Sequence, residues 1–338
     1  ALYFVNAPVD LALVGGLSLA TFAALALVPG GRGAEFPVLV AVLARLCNWP
    51  HFAATNHRLY HSRAHVGQYP FTALVIPVLV GAATVWAFAA PATVAPWFVK
   101  LTLLWSPYHF SGQTIGLSLV YARRAGFPVG RRERLALAAF VFSAFGWATA
   151  RAETGAGVRH YLGVDHPKLG LPPWVTDGFA LTLAIAGVVL VALIARWCLR
   201  ERRLVPPIVV LPALSQLVWF VVGRDFESFQ MLVPFFHSLQ YLLVAGTVQL
   251  GERLTHPGRI PSVRTAVAET CRWWSGNVVL GLLLFGLSPY LCTLLGYDLL
   301  FAMAVTAAAI QLHHFFVDGV IWKLQNPRVR SPLMVNVV

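Results

Sequence analysis

The chain has 338 residues, of which 58% are hydrophobic and only 11% charged, and its mean hydropathy is +0.71. Soluble domains are about 45–50% apolar and about 25% charged. A water-soluble enzyme, a disordered chain, a nucleic-acid-binding domain and a secreted disulfide scaffold are therefore excluded. The net charge of +12 arises from 25 Lys and Arg against 13 Asp and Glu, and eleven histidines nearly match all the acids together.

A hydrocarbon core about 30 Å thick takes roughly 20 apolar residues per helix. Ten stretches meet that need: 9–29, 36–60, 70–90, 96–122, 134–151, 174–196, 205–222, 228–250, 274–296 and 298–322. The predicted fold is all-α, a polytopic integral membrane protein with about ten transmembrane helices in one bundle and a single domain over 1–338. The first stretch lacks a basic leader and a small-residue cleavage site, so it reads as a span and not a signal peptide. Asn6 and Pro8 mark its helix start, with Asp10 in the first turn. The longest outer segment, 152–173, carries Glu153, Arg159, His160, Asp165, His166 and Lys168 and ends in HPKLGLPP, which predicts an ordered loop over the outer face. Gly296-Tyr297-Asp298 joins the last two spans as a tight hairpin. The four cysteines are scattered without a CxxC, giving neither a disulfide framework nor a zinc site.

With residues before the first span on the cytoplasmic side, 18 of the 25 basic residues fall in inner loops or the tail and 5 in outer loops. That asymmetry follows the positive-inside rule. It predicts both termini in the cytoplasm of a cell membrane, with a bacterial inner membrane as its place. The high charge then reports orientation and attraction to anionic lipid headgroups, and no loop is long enough to form a nucleic-acid surface.

Ionisable groups inside a membrane are costly, face the bundle interior and mark functional sites. They occur in the second span (NWPHFAATNHRLYHSRAH), the fourth (WSPYHFSGQTIGL), the eighth (VPFFHSLQYLL) and the tenth (QLHHFFVDGVIWK). At 1.5 Å per residue, His51, His109 and His313/His314 lie roughly 20–23 Å below the outer ends of their spans, and His237 roughly 14 Å. One slab of the membrane thus collects imidazoles from four helices. Three of these histidines closely follow a proline (Pro50, Pro107, Pro234), whose missing N–H kinks a helix and frees a carbonyl. His314 and Asp318, His109 and Gln113, and His237 and Tyr241 are i,i+4 pairs that share a face.

Imidazole binds iron, copper and zinc, and an adjacent carboxylate suits a non-haem Fe(II) site. His51, His109, His237, His314 and Asp318 are the predicted ligand set, with His313 as the adjacent candidate. Gln113, Gln240, Asn48, Asn56 and Gln311 are expected to hold second ring nitrogens. Asp318 is a ligand or proton-handling base, unless it pairs with Lys323 or an inner arginine. Tyr108 and Tyr241 join it as candidate catalytic residues shaping the pocket. His57 and His61, continued by His65, either cap the cavity or bind a second metal, or form a solvated helix end facing headgroups. His160 and His166 read as loop residues and His256 as a turn residue. Trp322 belongs with the interfacial aromatic belt, while Trp49 and Trp105 line a cavity.

The pattern resembles the fatty-acid desaturases and hydroxylases in carrying HxxxH twice (His57/His61 and His61/His65) and His313-His314. It departs from them in lacking HxxHH and in having more spans. It is similar in architecture to the bacterial carotene-cleaving oxygenases, where single histidines dispersed over several helices surround one iron, though no motif aligns. Haem-copper oxidases also carry an adjacent His-His pair, but their remaining ligand pattern is missing here. No residue is transferred from these families.

The sequence thus predicts a membrane-embedded metalloenzyme, an oxygenase-, hydroxylase- or desaturase-like oxidoreductase. Its cofactor is a transition metal, foremost iron, with copper or zinc as alternatives and haem as the runner-up. Its expected partners are membrane lipids, an apolar small-molecule substrate, and an electron donor or other membrane subunits. The alternatives are a haem- or quinone-associated electron-transfer subunit, and a proton-coupled transporter or non-catalytic subunit of a membrane assembly.

Overall fold

The computed structural model describes residues 2–31, 36–127, 129–254 and 262–322. His256 and Lys323 lie outside them, as do the basic residues of the 255–261 loop and the tail. The described residues form ten long helices: α1 Ala7–Leu27, α2 Pro37–Tyr60, α3 Phe71–Ala89, α4 Ala95–Arg124, α5 Arg131–Glu153, α6 Pro173–Glu201, α7 Pro207–Val222, α8 Val233–Leu254, α9 Val263–Thr293 and α10 Leu299–Ile321.

Eight of these segments are long and apolar enough to cross a membrane, the α8 segment counted from Glu227. The two exceptions have separate causes. Helix α7 is short. Helix α4 is 30 residues long, but its apolar character is diluted by Ser106, His109, Ser111, Gln113 and Thr114, which serve contacts between helices. The Gln216 amide of α7, for example, bridges Ser111 and Thr114 with bonds of 2.7 and 3.0 Å. Helix α9 begins eleven residues earlier than the apolar stretch suggests, because Arg264, Glu269 and Arg272 extend it past its apolar part, with Arg272 paired to Glu269 at 2.9 Å.

Burial ranks the helices. Half of the α10 window and 61% of the α8 window are buried inside the protein, whereas only 6% of α6 is. The two most buried segments are those that carry His237 and His314, and the most apolar helix faces outward. This inverts the pattern of a water-soluble bundle and suits a protein solvated by lipid.

Segment 152–173 is ordered, as expected, but contains strands. Val158–Tyr161 (β1) and Val164–Pro167 (β2) pair antiparallel, His160 opposite Asp165. The two-residue turn Leu162-Gly163 has positive φ at both positions, 45° and 75°, as a type I′ hairpin requires. The hairpin is tied to the bundle through Glu153, whose carboxylate pairs with buried Lys100 of α4 and accepts the Leu169 N–H at 2.9 Å. His160 is an exposed hairpin residue bonded to Asp165 at 2.8 Å. His166, in contrast, is 3% exposed, and its Nδ1 has no hydrogen-bond partner among the described residues.

Burial, with Lys100 and Arg159 nearby, lowers the His166 pKa, while Glu153 opposes the shift. The closed hairpin thus holds a neutral imidazole that an opened one protonates below its ordinary value near 6.5. Hairpin stability is full above that pH and falls as pH drops below it, by up to about tenfold in the opening equilibrium per pH unit. Amide exchange over 158–169, corrected for intrinsic rates, is expected to accelerate between pH 7.5 and pH 5. His166→Leu is expected to flatten that response.

Candidate metal centre

The local breaks in the helices begin at Pro50. Proline cannot give an N–H to the carbonyl four residues earlier, and α2 passes through a π-helical turn at Ala44–Asn48 just before it. The freed Leu46 carbonyl accepts the Trp274 indole N–H at 3.1 Å. Gly281 of α9 packs directly on this break, where a Cβ would stand 2.9 Å from the Trp49 carbonyl carbon. Only a glycine lets α9 brace the turn that presents His51. Pro107 lies inside α4, whereas Pro234 sits in the first turn of α8. Of the three prolines expected to kink a helix beside a histidine, Pro234 instead starts one, after the short helix Glu227–Gln230.

The four helices bring four imidazoles together at the bundle centre. Ring centroids are 4.4 Å apart for His51 and His314, 4.7 Å for His109 and His314, 5.0 Å for His51 and His237, and 5.1 Å for His109 and His237. His51, His237 and His314 are each at most 1% exposed. The tightest subset is His51, His109, His314 and Asp318, with one ligand atom from each lying within 4.8 Å of all the others.

The spacings among His109, His314 and Asp318 fit a shared ion. Two ligands about 2.1 Å from one metal stand about 3.0 Å apart at right angles and about 3.4 Å apart in a tetrahedron. His109 Nε2 and His314 Nε2 are 3.1 Å apart. Asp318 Oδ2 lies 3.4 Å from His314 Nε2 and 3.7 Å from His109 Nε2. Among the described residues no Lys or Arg forms an ion pair with the Asp318 carboxylate. A buried carboxylate needs a compensating charge, and a cation between it and the imidazoles supplies one.

The hydrogen-bond chemistry fixes one ligand's tautomer. Ser238 Oγ lies 2.7 Å from the Pro234 carbonyl and 2.9 Å from Asn48 Oδ1, both pure acceptors. The back-bond to the Pro234 carbonyl is the shortest and takes the hydroxyl proton, so toward His51 Nδ1 at 3.2 Å Ser238 Oγ accepts. His51 therefore carries its proton on Nδ1 and presents a bare lone pair on Nε2, a buried atom with no other partner among the described residues. That is the form a metal requires.

His237 adjoins this group without belonging to the tightest set. Its ring stacks on Phe110 at 4.0 Å, and both of its nitrogens lack partners among the described residues. His313 is separate from the group. Successive helical residues point about 100° apart, and its Nε2 lies 3.2 Å from the Tyr60 hydroxyl. The two HxxxH pairs do not enter the group either. His57 and His61 stack on each other at 5.5 Å at the end of α2, and His61 Nδ1 bonds the Arg58 carbonyl at 2.9 Å.

Asp318 and Tyr241 are linked by a residue that sequence reasoning passed over. Thr55 Oγ1 lies 3.1 Å from Asp318 Oδ1 and 2.6 Å from Tyr241 Oη. Trp322 Nε1 donates to Tyr241 Oη at 3.3 Å, so this tryptophan serves the centre and not the aromatic belt. Thr55 and Ser238 gave no signal because hydroxyls in apolar helices usually bond back to the preceding turn, as both also do here. Gln113 and Gln240 do not hold imidazoles. Gln113 bonds the His237 carbonyl and Gln240 Oε1, each at 3.0 Å, and Gln240 bonds the Val14 carbonyl at 2.5 Å. Their role is to tie α4, α8 and α1 together.

A cavity of about 540 Å³ adjoins the centre, with His109, Tyr241 and Asp318 in its wall. Trp105 and Tyr108 also line it. Tyr108 is 49% exposed and stacks on Phe142, so it forms wall and outer surface and stands apart from the ligand group. Trp49 faces α9 instead, stacked on Phe285 at 5.6 Å.

Comparison with known protein families, characterised proteins and solved structures finds no match, so the functional reading rests on these residues.

Ser238→Ala removes the acceptor that holds His51 in its ligating tautomer. Metal affinity is expected to fall about 10–100-fold, with Ser238→Thr retaining most of it, as measured by chelator competition on the purified protein.

Proposed function

We propose that the protein is a membrane-embedded, histidine-ligated metalloenzyme, a non-haem iron oxidoreductase of the oxygenase, hydroxylase or desaturase kind that acts on a lipid or other apolar substrate. In this reading all ten helices cross the bilayer, the basic loops, the residues before α1 and those after α10 face the cytoplasm, and the membrane is a bacterial inner membrane. The observation that carries the reading is the convergence of three imidazoles and one carboxylate from α2, α4 and α10, beside a cavity walled mainly by apolar and aromatic residues.

Three neutral nitrogens and a carboxylate form a ligand set suited to Fe(II), Zn(II) or Cu(II). An iron ion held there would supply the redox chemistry toward dioxygen. The chain's own residues do the rest. His51, His109 and His314 would hold the ion, with His237 close enough to join after a small shift. The Asp318 carboxylate balances its charge. Thr55 Oγ1 connects Asp318 Oδ1 to Tyr241 Oη, giving a path along which a proton moves between the cavity and the carboxylate. The Trp322 indole pins Tyr241 Oη at one end of that path. Surrounding apolar side chains exclude water and set the substrate class.

The spacing also favours a bare ion over haem. The 3.1 Å between His109 Nε2 and His314 Nε2 suits two neighbouring ligands of one ion, which stand about 3.0 Å apart at right angles. An electron donor or partner subunit would complete a redox cycle, and lipids surround the bundle.

Elemental analysis of purified protein tests this reading. Iron is expected near one equivalent per chain. His109→Ala and His314→Ala are each expected to lower occupancy about tenfold or more, while His313→Ala and His61→Ala leave it unchanged. Absence of a stoichiometric transition metal, or equal losses in the His313 and His314 variants, would overturn it.

A further inference from the structure

Asp10 is fully buried in α1 and takes no part in the centre described above. Its carboxylate accepts the N–H groups of Phe4 at 2.6 Å and Val5 at 3.0 Å, and the Tyr121 hydroxyl at 2.7 Å. Arg124 reinforces the same segment, bonding the Tyr3 carbonyl at 2.8 Å and placing its guanidinium 4.1 Å over the Phe4 ring. A buried acid is thus committed to holding one short backbone segment, and that segment delivers one aromatic ring. Phe4 is 3% exposed, packs edge-on against Tyr121 at 5.5 Å, and lines the cavity next to the candidate metal centre.

The cavity's course along α4 sets Phe4 at its far end. His109, Gly112, Gly116 and Val120 all line it. His109 to Val120 is eleven residues, about 16 Å at 1.5 Å per residue, and Tyr121 follows against Phe4. Helices α4 and α10 touch above this stretch, through Thr102 Oγ1 to the Ala308 carbonyl at 3.4 Å and Ser106 to Gln311 at 3.3 Å. Below His109 and His314 they leave the cavity between them, with exposed Gly112 on one side and exposed Phe316 and Gly319 on the other. A Cβ at Gly112, Gly116 or Gly319 would meet nothing within 4 Å. These glycines are not needed for helix packing. Their missing side chains are part of the cavity.

Resting on the metalloenzyme reading, we infer that this channel takes a linear apolar chain that enters sideways between α4 and α10, lies along Gly112 and Gly116, and ends on Phe4, which limits its length. The channel's ionisable groups, Tyr108, His109, Asp318 and Tyr241, cluster at the metal end, so the far end receives an uncharged chain terminus. Phe4 and Gly116 are then specificity-determining residues, and Asp10 is a positioning residue that acts through Phe4.

Photo-crosslinking in nanodiscs tests the inference without turnover, using decanol, tetradecanol and octadecanol that carry a terminal diazirine. The tetradecyl probe is expected to label segment 2–6 and Val244. Gly116→Leu, whose Cβ meets nothing within 4 Å, cuts that labelling at least tenfold. Phe4→Val and Asp10→Asn both let the octadecyl probe label where the wild type admits only the shorter ones. Labelling confined to lipid-facing surfaces, or unchanged by Gly116→Leu and Phe4→Val, would overturn the inference. Metal content measured on the same samples keeps the two readings apart. A metal-free protein that still labels at segment 2–6 contradicts the metal assignment and supports the channel.

Discussion

The structure depends on the cost of placing ionisable groups where no water can solvate them. Imidazole nitrogens and a carboxylate gathered at the centre of an apolar bundle lose their hydration, and an isolated charge or unpaired polar atom there is expensive. His51 Nε2 and both His237 nitrogens lack partners among the described residues, and Asp318 faces two imidazoles with Thr55, Tyr241 and Trp322 beside it and no cationic side chain among the described residues. A shared cation would relieve the costs at His51 Nε2 and Asp318 together, because a lone pair becomes a ligand and the carboxylate gains a counter-charge.

The surrounding polar groups make sense as the frame of that centre. Ser238 and Asn48 set one imidazole's proton, and Thr55 joins the carboxylate to Tyr241. Gln113, Gln240 and Gln216 lock α4 to α8, α1 and α7 without touching a ring. The helix breaks serve the same end. The π-helical turn before Pro50 exposes a carbonyl that Trp274 satisfies, and Gly281 lets α9 press on it. This is how a membrane helix accommodates a proline while its backbone remains satisfied by protein. Beyond the centre, buried Asp10 holds the Phe4–Val5 backbone and the Tyr121 hydroxyl, and it shapes the cavity and not its chemistry.

Much of this was legible in the sequence. Apolar stretches of membrane length gave helices close to those observed, and the depth argument brought His51, His109, His237 and His314 to one level from four separate helices. The i,i+4 relation put Asp318 on the face of His314. What the sequence left open depended on rotation and on neighbours. The His313-His314 pair by itself does not say which ring turns inward, and only the i,i+4 relation to Asp318 favours His314. HxxxH looks like a ligand box, yet in α2 it lies on a helix end beyond the centre. Trp322 reads as a belt residue by depth, but its indole turns toward Tyr241. Thr55, Ser238 and Phe4 are ordinary residues whose importance comes only from what stands opposite them.

The most direct measurement of the central claim is X-ray absorption spectroscopy at the metal edge of the purified protein. The account predicts a nitrogen and oxygen shell near 2.0–2.2 Å, with outer-shell scattering from at least three imidazoles and no sulfur ligand. A shell containing sulfur near 2.3 Å, or one with fewer than two imidazoles, would contradict it.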